Sequence, residues 1–301
     1  MNKNWLLVAF GVIILSAVTS IICSIIICSH HKPTSSIASS QNVYDRILKS
    51  GKIRCGYVVY WPGCIKDPNT GKLSGVHVEA MEAIGEKLGL KIEWTEELGW
   101  GSMIEGLQTD RYDVVGSGVW ANATRGKYTT FSTPFYYSGP NPYCRINDHR
   151  FDHNLSAINS PTVRIATIDG EMCDIIARTQ FPKAQRISLP EMAHISQAFL
   201  EVADNKADVF IEDPASAYEY EKNNPRKLKV IARDKPLRVF GVCLMFKRGE
   251  IELQGMFDKA VDELVFSGAM DQIINKYELT PGKFFYRRAS PCKFVGHSTV
   301  N

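Results

Sequence analysis

The stretch Asp113–Gly139, DVVGSGVWANATRGKYTTFSTPFYYSG, decides how the rest of the chain is read. Asp113-Val114-Val115 has the apolar, β-branched character of a buried strand. Gly116-Ser117-Gly118 supplies small residues suited to a turn. After Val119-Trp120, the run Asn122-Ala123-Thr124 carries a helix-start signature with Arg125 in its first turn. A strand leading through glycines into a helix start gathers free backbone N–H groups and a positive dipole end at one place. Arg125 adds a forked cation, so the segment describes a receptor for a carboxylate. It equally describes a surface strand–turn–helix with a solvated arginine, and only the flanking sequence can separate the two.

Upstream, Val43–Lys49 has one apolar face at helical spacing and stops at Gly51. Ile53–Tyr60 reads as a strand, Asp67–Gly71 as a turn, Val78–Leu88 as a helix stopped by Gly89, and Lys91–Thr95 as a strand. Ser102–Thr109 is a helix, and Asp113 opens the third strand. A second such unit follows: strand 163–168, helix 172–179 after the Asp169-Gly170 turn, strand 185–188, helix 195–205, and strand 207–212 ending in Asp213-Pro214. Strand 228–232, strand 239–247 and closing helices over 252–277 complete the pattern. Strands alternating with helices argue for an α/β fold whose sheets are mainly parallel and flanked by helices.

The 301 residues are 45% hydrophobic with a formal charge of +3, which suits two compact lobes and gives no argument for nucleic acid. Residues Trp5–Cys28 form an uncharged apolar run long enough to span a bilayer core as a helix. It reads as an anchor, with a removed signal peptide as the alternative, Val18-Thr19-Ser20 being a passable cleavage site. Either reading exports the rest. Residues His31–Gln41 are rich in Pro, Ser and Thr and read as a tether.

Six cysteines lie beyond the apolar run: Cys55, Cys64, Cys144, Cys173, Cys243 and Cys292. None forms a C-x-x-C pair, so no zinc pattern is present, and no other metal cluster or cofactor motif is read. In an oxidising compartment some of them are expected to be bridged, with buried free thiols as the alternative. The histidines His77, His149, His153 and His194 show no Ser or Cys pairing of the kind a nucleophilic triad needs.

Gly51-Lys-Ile-Arg-Cys-Gly56, Gly71-Lys-Leu-Ser-Gly75, Trp100 followed by Met103-Ile104 and Leu107, then Asp113 and Pro134-Phe135-Tyr136 fall in one order. From about Val43 to about Tyr277 the chain thereby resembles the bacterial extracellular solute-binding proteins of polar amino-acid importers, family 3. The resemblance implies a two-lobed type II periplasmic-binding-protein fold, its lobes joined by a two-strand hinge. It implies a signal or anchor segment over 1–30, a tether over 31–42, lobe one over 43–140 plus 240–280, lobe two over 141–239, and a tail over 281–301. Cys144 and Cys243 would sit on the two crossover strands, where a bridge would restrict the hinge.

By the resemblance, Arg125 clasps a ligand α-carboxylate beside backbone groups of Gly118 and Trp120, and Asp213 receives the α-ammonium. The alternative for Asp213 is a helix cap. Trp61, Trp100 and Trp120 fall on cleft-wall positions, whereas Trp94 reads as core. Departures from the family pattern are Val58 in place of a cation-selecting aspartate, Gly63-Cys64 after Trp61-Pro62, His77 in place of an aspartate, and Glu171-Met172 behind Gly170. Glu171 is then expected to face solvent, pair with Arg125, or bind a second positive group.

The implied function is an extracytoplasmic or periplasmic receptor for an amino acid or similar small zwitterion, non-enzymatic and without cofactor. Its partners would be an ABC permease and ATPase, with the inner membrane engaged through residues 5–28. Two alternatives stand beside it. One is an enzyme similar to cyclohexadienyl dehydratases, with Glu171 as general acid. The other is a membrane-tethered sensor.

Overall fold

Residues 42–152, 154–231, 236–278 and 283–288 are described by the computed structural model. The expectations for Trp5–Cys28, the tether, His153, Cys292 and the tail from 289 onward lie outside these residues.

The chain opens with helix α1 (Val43–Ser50), which turns at Gly51 into strand β1 (Lys52–Tyr57). A short hairpin, β2 (Ile65–Lys66) and β3 (Leu73–Ser74), precedes helix α2 (Val76–Leu88) and strand β4 (Lys91–Glu97). Gly89 closes α2 in the left-handed conformation, the C-terminal stop that its position suggests. Helix α3 (Met103–Gln108) leads to β5 (Val114–Trp120), the one-turn helix α4 (Ala123–Gly126), and strands β6 (Thr129–Phe131) and β7 (Tyr136–Ser138).

The chain then crosses into a second sheet through β8 (Asn141–Arg145). That sheet is completed by β9 (Arg164–Ile168), α5 (Met172–Gln180), β10 (Gln185–Leu189), α6 (Ile195–Ala203), β11 (Val209–Glu212), α7 (Pro214–Asn223) and β12 (Leu228–Val230). It returns through β13 (Phe240–Lys247) to helices α8 (Ile251–Phe266) and α9 (Ala269–Asn275), and strand β14 (Tyr286–Arg287).

The first sheet has the order β14-β7-β13-β5-β1-β4, and the second β10-β9-β11-β8-β12. Both are mixed rather than mainly parallel. The strand–helix–strand halves pair in parallel, β1 with β4 and β5, and β9 with β10 and β11. The strands that cross between lobes arrive from the opposite direction, so β8 and β13 pair antiparallel with β11 and β5. The result is the expected α/β architecture of two lobes.

The expected turn at Gly116-Ser117-Gly118 is corrected: these residues continue β5. Between Val115, opposite Met245, and Val119, opposite Cys243, three residues of β5 face a single residue of β13. Gly118 absorbs this bulge at φ +73°, and a Cβ there would lie 2.2 Å from the His77 ring. A glycine pattern that suggests a turn here serves a bulge in a buried strand.

The expectation of bridged cysteines is not met among the described residues. Cys55, Cys64, Cys144, Cys173 and Cys243 are free and buried. Cys144 pairs within the second sheet opposite Val209, and Cys243 within the first opposite Val119, so the two crossover cysteines belong to different sheets.

Each lobe fastens its first strand in the same manner. Asp113, just before β5, accepts the Arg54 backbone N–H at 2.9 Å and its guanidinium at 2.6 and 3.3 Å. Asp208, just before β11, accepts the Arg164 backbone N–H at 2.9 Å and its guanidinium at 3.0 and 3.1 Å. Arg145 and Arg150 add charged hydrogen bonds to Asp208 at 3.0 and 2.8 Å.

Candidate functional site

The carboxyl ends of β9 and β11 point at the other lobe, where a ligand of an open α/β sheet binds. At the end of β9, Gly170 holds φ +76° and Glu171 caps α5, its side chain accepting the Cys173 N–H. At the end of β11 stand Glu212 and Asp213. Asp213 Oδ1 caps α7, accepting the N–H groups of Ala215 at 2.7 Å and Ser216 at 2.9 Å. The capping alternative for Asp213 is therefore realised, while the residue also lines the cavity between the lobes.

The opposing wall comes from β5 and its surroundings. Asn122 caps α4 by accepting the Arg125 N–H at 3.0 Å. That N–H is thus taken, and a helix of one turn supplies little dipole, so the expected backbone receptor reduces to the Arg125 side chain. Its guanidinium donates to Trp120 O at 3.4 Å and, across the cleft, to Gly170 O at 2.9 Å. Burial pulls the Arg125 pKa down and the Glu171 carboxylate opposes it. Glu171 thus faces the cavity near Arg125 rather than solvent, with no ion pair between them.

Six of the eight residues expected at the site line this cavity: Trp100, Gly118, Trp120, Arg125, Glu171 and Asp213. Gly170 contributes its carbonyl at the rim. Trp61 does not line the cavity; its ring packs toward Tyr218 at 6.4 Å, and its carbonyl accepts from Ser216 Oγ at 3.3 Å. The neighbouring Tyr60 turns inward instead, its hydroxyl donating to Ser117 O at 2.8 Å. Trp94 packs edge-on against Tyr57, near the core as expected.

Sequence reading missed Tyr60, Tyr136 and Glu212. Glu212 is 2% exposed, with one carboxyl oxygen accepting the Asp213 N–H at 2.9 Å and Oε2 without a hydrogen-bond partner. Burial, then the adjacent Glu171 and Asp213, raise its pKa well above the usual carboxylate range. The only signal was an acid ending an otherwise apolar strand. Tyr136 reaches the cavity from β7, its hydroxyl 3.0 Å from His77 Nε2.

His77 itself is fully buried behind Gly118, and burial lowers its pKa to about 3. The unfolded chain titrates near 6.5, so it binds a proton in the window between about 6.5 and 3 that the folded protein refuses. Stability from this residue is whole above about 6.5 and is lost as pH falls, by about 2 kcal/mol at pH 5. Urea unfolding at pH 7 and pH 5 should therefore show a smaller loss for His77→Phe than for the wild type. Equal losses would contradict the buried neutral imidazole.

The lobes meet closely. The Trp100 N–H donates to Glu191 O at 3.2 Å, and a Cβ on Gly170 would lie 2.3 Å from Gly101 Cα. The cavity between them has a volume of about 480 Å³, part of it open to solvent. Gly170→Ala adds a methyl at this contact and at a positive φ, so it is expected to hold the lobes apart. Solution scattering should show a larger radius of gyration than the wild type; an unchanged radius would mean the contact does not limit closure.

Residues 53–280 match the family model of bacterial extracellular solute-binding proteins, family 3. The chain belongs to that family. This solute-binding protein is 25% identical over 240 residues to a probable amino-acid ABC transporter-binding protein of Haemophilus influenzae, spanning 79% of the chain and 89% of that protein. It is 25% identical over 184 residues to a cyclohexadienyl dehydratase of Pseudomonas aeruginosa, spanning 61% of the chain and 67% of that protein. Among solved structures it resembles an ancestral amino acid-binding protein, a precursor of cyclohexadienyl dehydratase, with TM-score 0.67 and 26% identity over 77% of this chain and 97% of that one. No helix among the described residues of this solute-binding protein is long and apolar enough to cross a membrane, and no group of metal ligands occurs among them.

Proposed function

We propose that this protein captures an amino acid between its lobes outside the cytoplasm and delivers it to an ABC permease and ATPase. The observation that carries the reading is the pairing of a buried guanidinium from one lobe with buried carboxyl groups from the other across a single cavity. Arg125 suits the ligand carboxylate because its planar fork donates two parallel hydrogen bonds. Asp213 and Glu212 suit the ammonium. A zwitterion satisfies both walls only when the lobes are closed, so its binding energy shifts the hinge equilibrium toward closure. Trp100, Trp120, Tyr60 and Tyr136 surround the remaining space and favour a ligand whose side chain gains from ring faces, at about 0.5–2 kcal/mol per cationic contact.

The division into lobe one, 43–140 plus 240–280, and lobe two, 141–239, belongs to this proposal, as do the anchoring of the chain through residues 5–28 and its docking to a permease. The enzymatic alternative has one observation in its favour, and that observation moves its candidate acid. Glu171 spends its carboxylate on the α5 cap, while Glu212 is the buried acid beside the cavity whose pKa burial raises. A thermal-shift screen against the amino acids and prephenate tests both readings. A bound amino acid at a hundredfold excess over its Kd should stabilise the protein by about 2.7 kcal/mol. Prephenate is expected to give no shift and no turnover. A screen in which no amino acid shifts the transition would overturn the proposal.

A further inference from the structure

Three carboxyl groups, Glu171, Glu212 and Asp213, line one cavity between the lobes with, among the described residues, a single guanidinium, Arg125. Their partners differ. Glu171 accepts the Cys173 N–H, and Asp213 accepts two N–H groups at the start of α7. Glu212 accepts one N–H through its first oxygen, and its second oxygen, although buried, has no partner. A carboxylate buried in this way, with a bare oxygen and two acidic neighbours, is costly to keep charged. The remaining titratable groups around it bring no cation. Cys173 lies on α5, Tyr60 follows β1, and Tyr143 lies on β8, and burial keeps all three protonated. Arg125 lies on the opposite wall and His77 is neutral behind Gly118.

We propose that ligand capture at this cavity is an exchange of cations, in which the ligand's ammonium group settles beside Glu212 Oε2 as the proton on that carboxyl leaves for solvent. The inference rests on the amino-acid reading of the site and adds to it a proton stoichiometry. The O–H bond of the carboxyl breaks, the proton passes to buffer, and an N–H···O⁻ bond forms in its place; the ammonium takes over the proton's positive charge beside Glu212, and the ligand's own carboxylate is the one net negative charge that the cavity gains. The raised pKa of Glu212 in the free protein supports the direction of the exchange. Capture then weakens as pH falls below that pKa, by up to tenfold per pH unit, because protons compete with the ligand.

Two measurements on the whole protein test this. The infrared difference between wild type and Glu212→Gln at pH 6, without ligand, should contain the C=O band of one protonated carboxylic acid. Titration calorimetry with arginine, histidine and glutamine as probes, at pH 6 in phosphate and in an amine buffer, should give a binding enthalpy that depends on buffer ionisation, corresponding to release of close to one proton. In Glu212→Gln that dependence should vanish. Absence of the carboxylic-acid band overturns the proposal whether or not a probe binds. Buffer-independent binding of a probe by the wild type also overturns it, while leaving the amino-acid reading standing. Failure of every probe to bind, with the band present, instead counts against the amino-acid reading and removes the exchange with it.

Discussion

Arg125→Ala is expected to weaken capture of any amino acid that stabilises the wild-type protein by a hundredfold or more. Arg125 is 5% exposed and holds the only guanidinium that lines the cavity among the described residues. Its removal leaves Glu171, Glu212 and Asp213 facing a ligand carboxylate with no opposing cation. Truncating one partner of a buried, hydrogen-bonded charge pair costs about 2–5 kcal/mol in binding. The fold should survive, because the guanidinium contacts only two carbonyl oxygens, Trp120 O and Gly170 O, and its chain is held by Asn122 and Thr129. Calorimetric titration of the variant checks this against an unchanged far-ultraviolet dichroism spectrum. Wild-type affinity in the variant would mean that the carboxylate lies elsewhere.

Asp208→Ala should have the largest effect on stability, about 3 kcal/mol, because it takes the carboxylate from Arg164 and its backbone N–H and leaves Arg145 and Arg150 with Asp148 alone. The Asp208 side chain is 4% exposed, whereas Arg145, Arg150 and Arg164 reach it from the rim. Urea unfolding measures the loss, and a loss below about 1 kcal/mol would show that solvent replaces the carboxylate freely. Burial would raise the Asp208 pKa, but hydrogen bonds from Arg164, Arg150 and Arg145 overcome it and hold the group well below the usual carboxylate range. For an acid whose folded pKa is depressed, the stabilisation is whole above the unfolded value of about 3.9 and is lost as pH falls below it. The variant should therefore lose less stability than the wild type between pH 5 and pH 3.

Most elements of the fold were legible because helices and strands here follow their hydrophobic periods and stop at glycines. Gly89 ends α2 where the pattern ends. What periodicity could not show was the pairing of strands far apart in sequence. β7 and β14 are too short to carry a period, and β8 and β13 acquire their antiparallel direction only from the crossing between lobes. Gly116-Ser117-Gly118 misled because small residues serve a bulge as well as a turn. In the site, Arg125 and Asp213 were legible from their positions after a strand. Tyr60 and Glu212 were not, because which of two adjacent residues faces a cavity depends on register: Tyr60 turns in where Trp61 turns away, and Glu212 keeps an unused oxygen where Asp213 caps a helix.

The measurement that tests the inter-lobe site most directly is hydrogen–deuterium exchange of the protein with and without an amino acid found to stabilise it. Protection is expected on both walls at once: around Gly118–Arg125 in one lobe, and around Glu171–Cys173 and Asp213–Ser216 in the other. Protection confined to one lobe, or to a surface away from these three segments, would contradict capture between Arg125 and the acids opposite it.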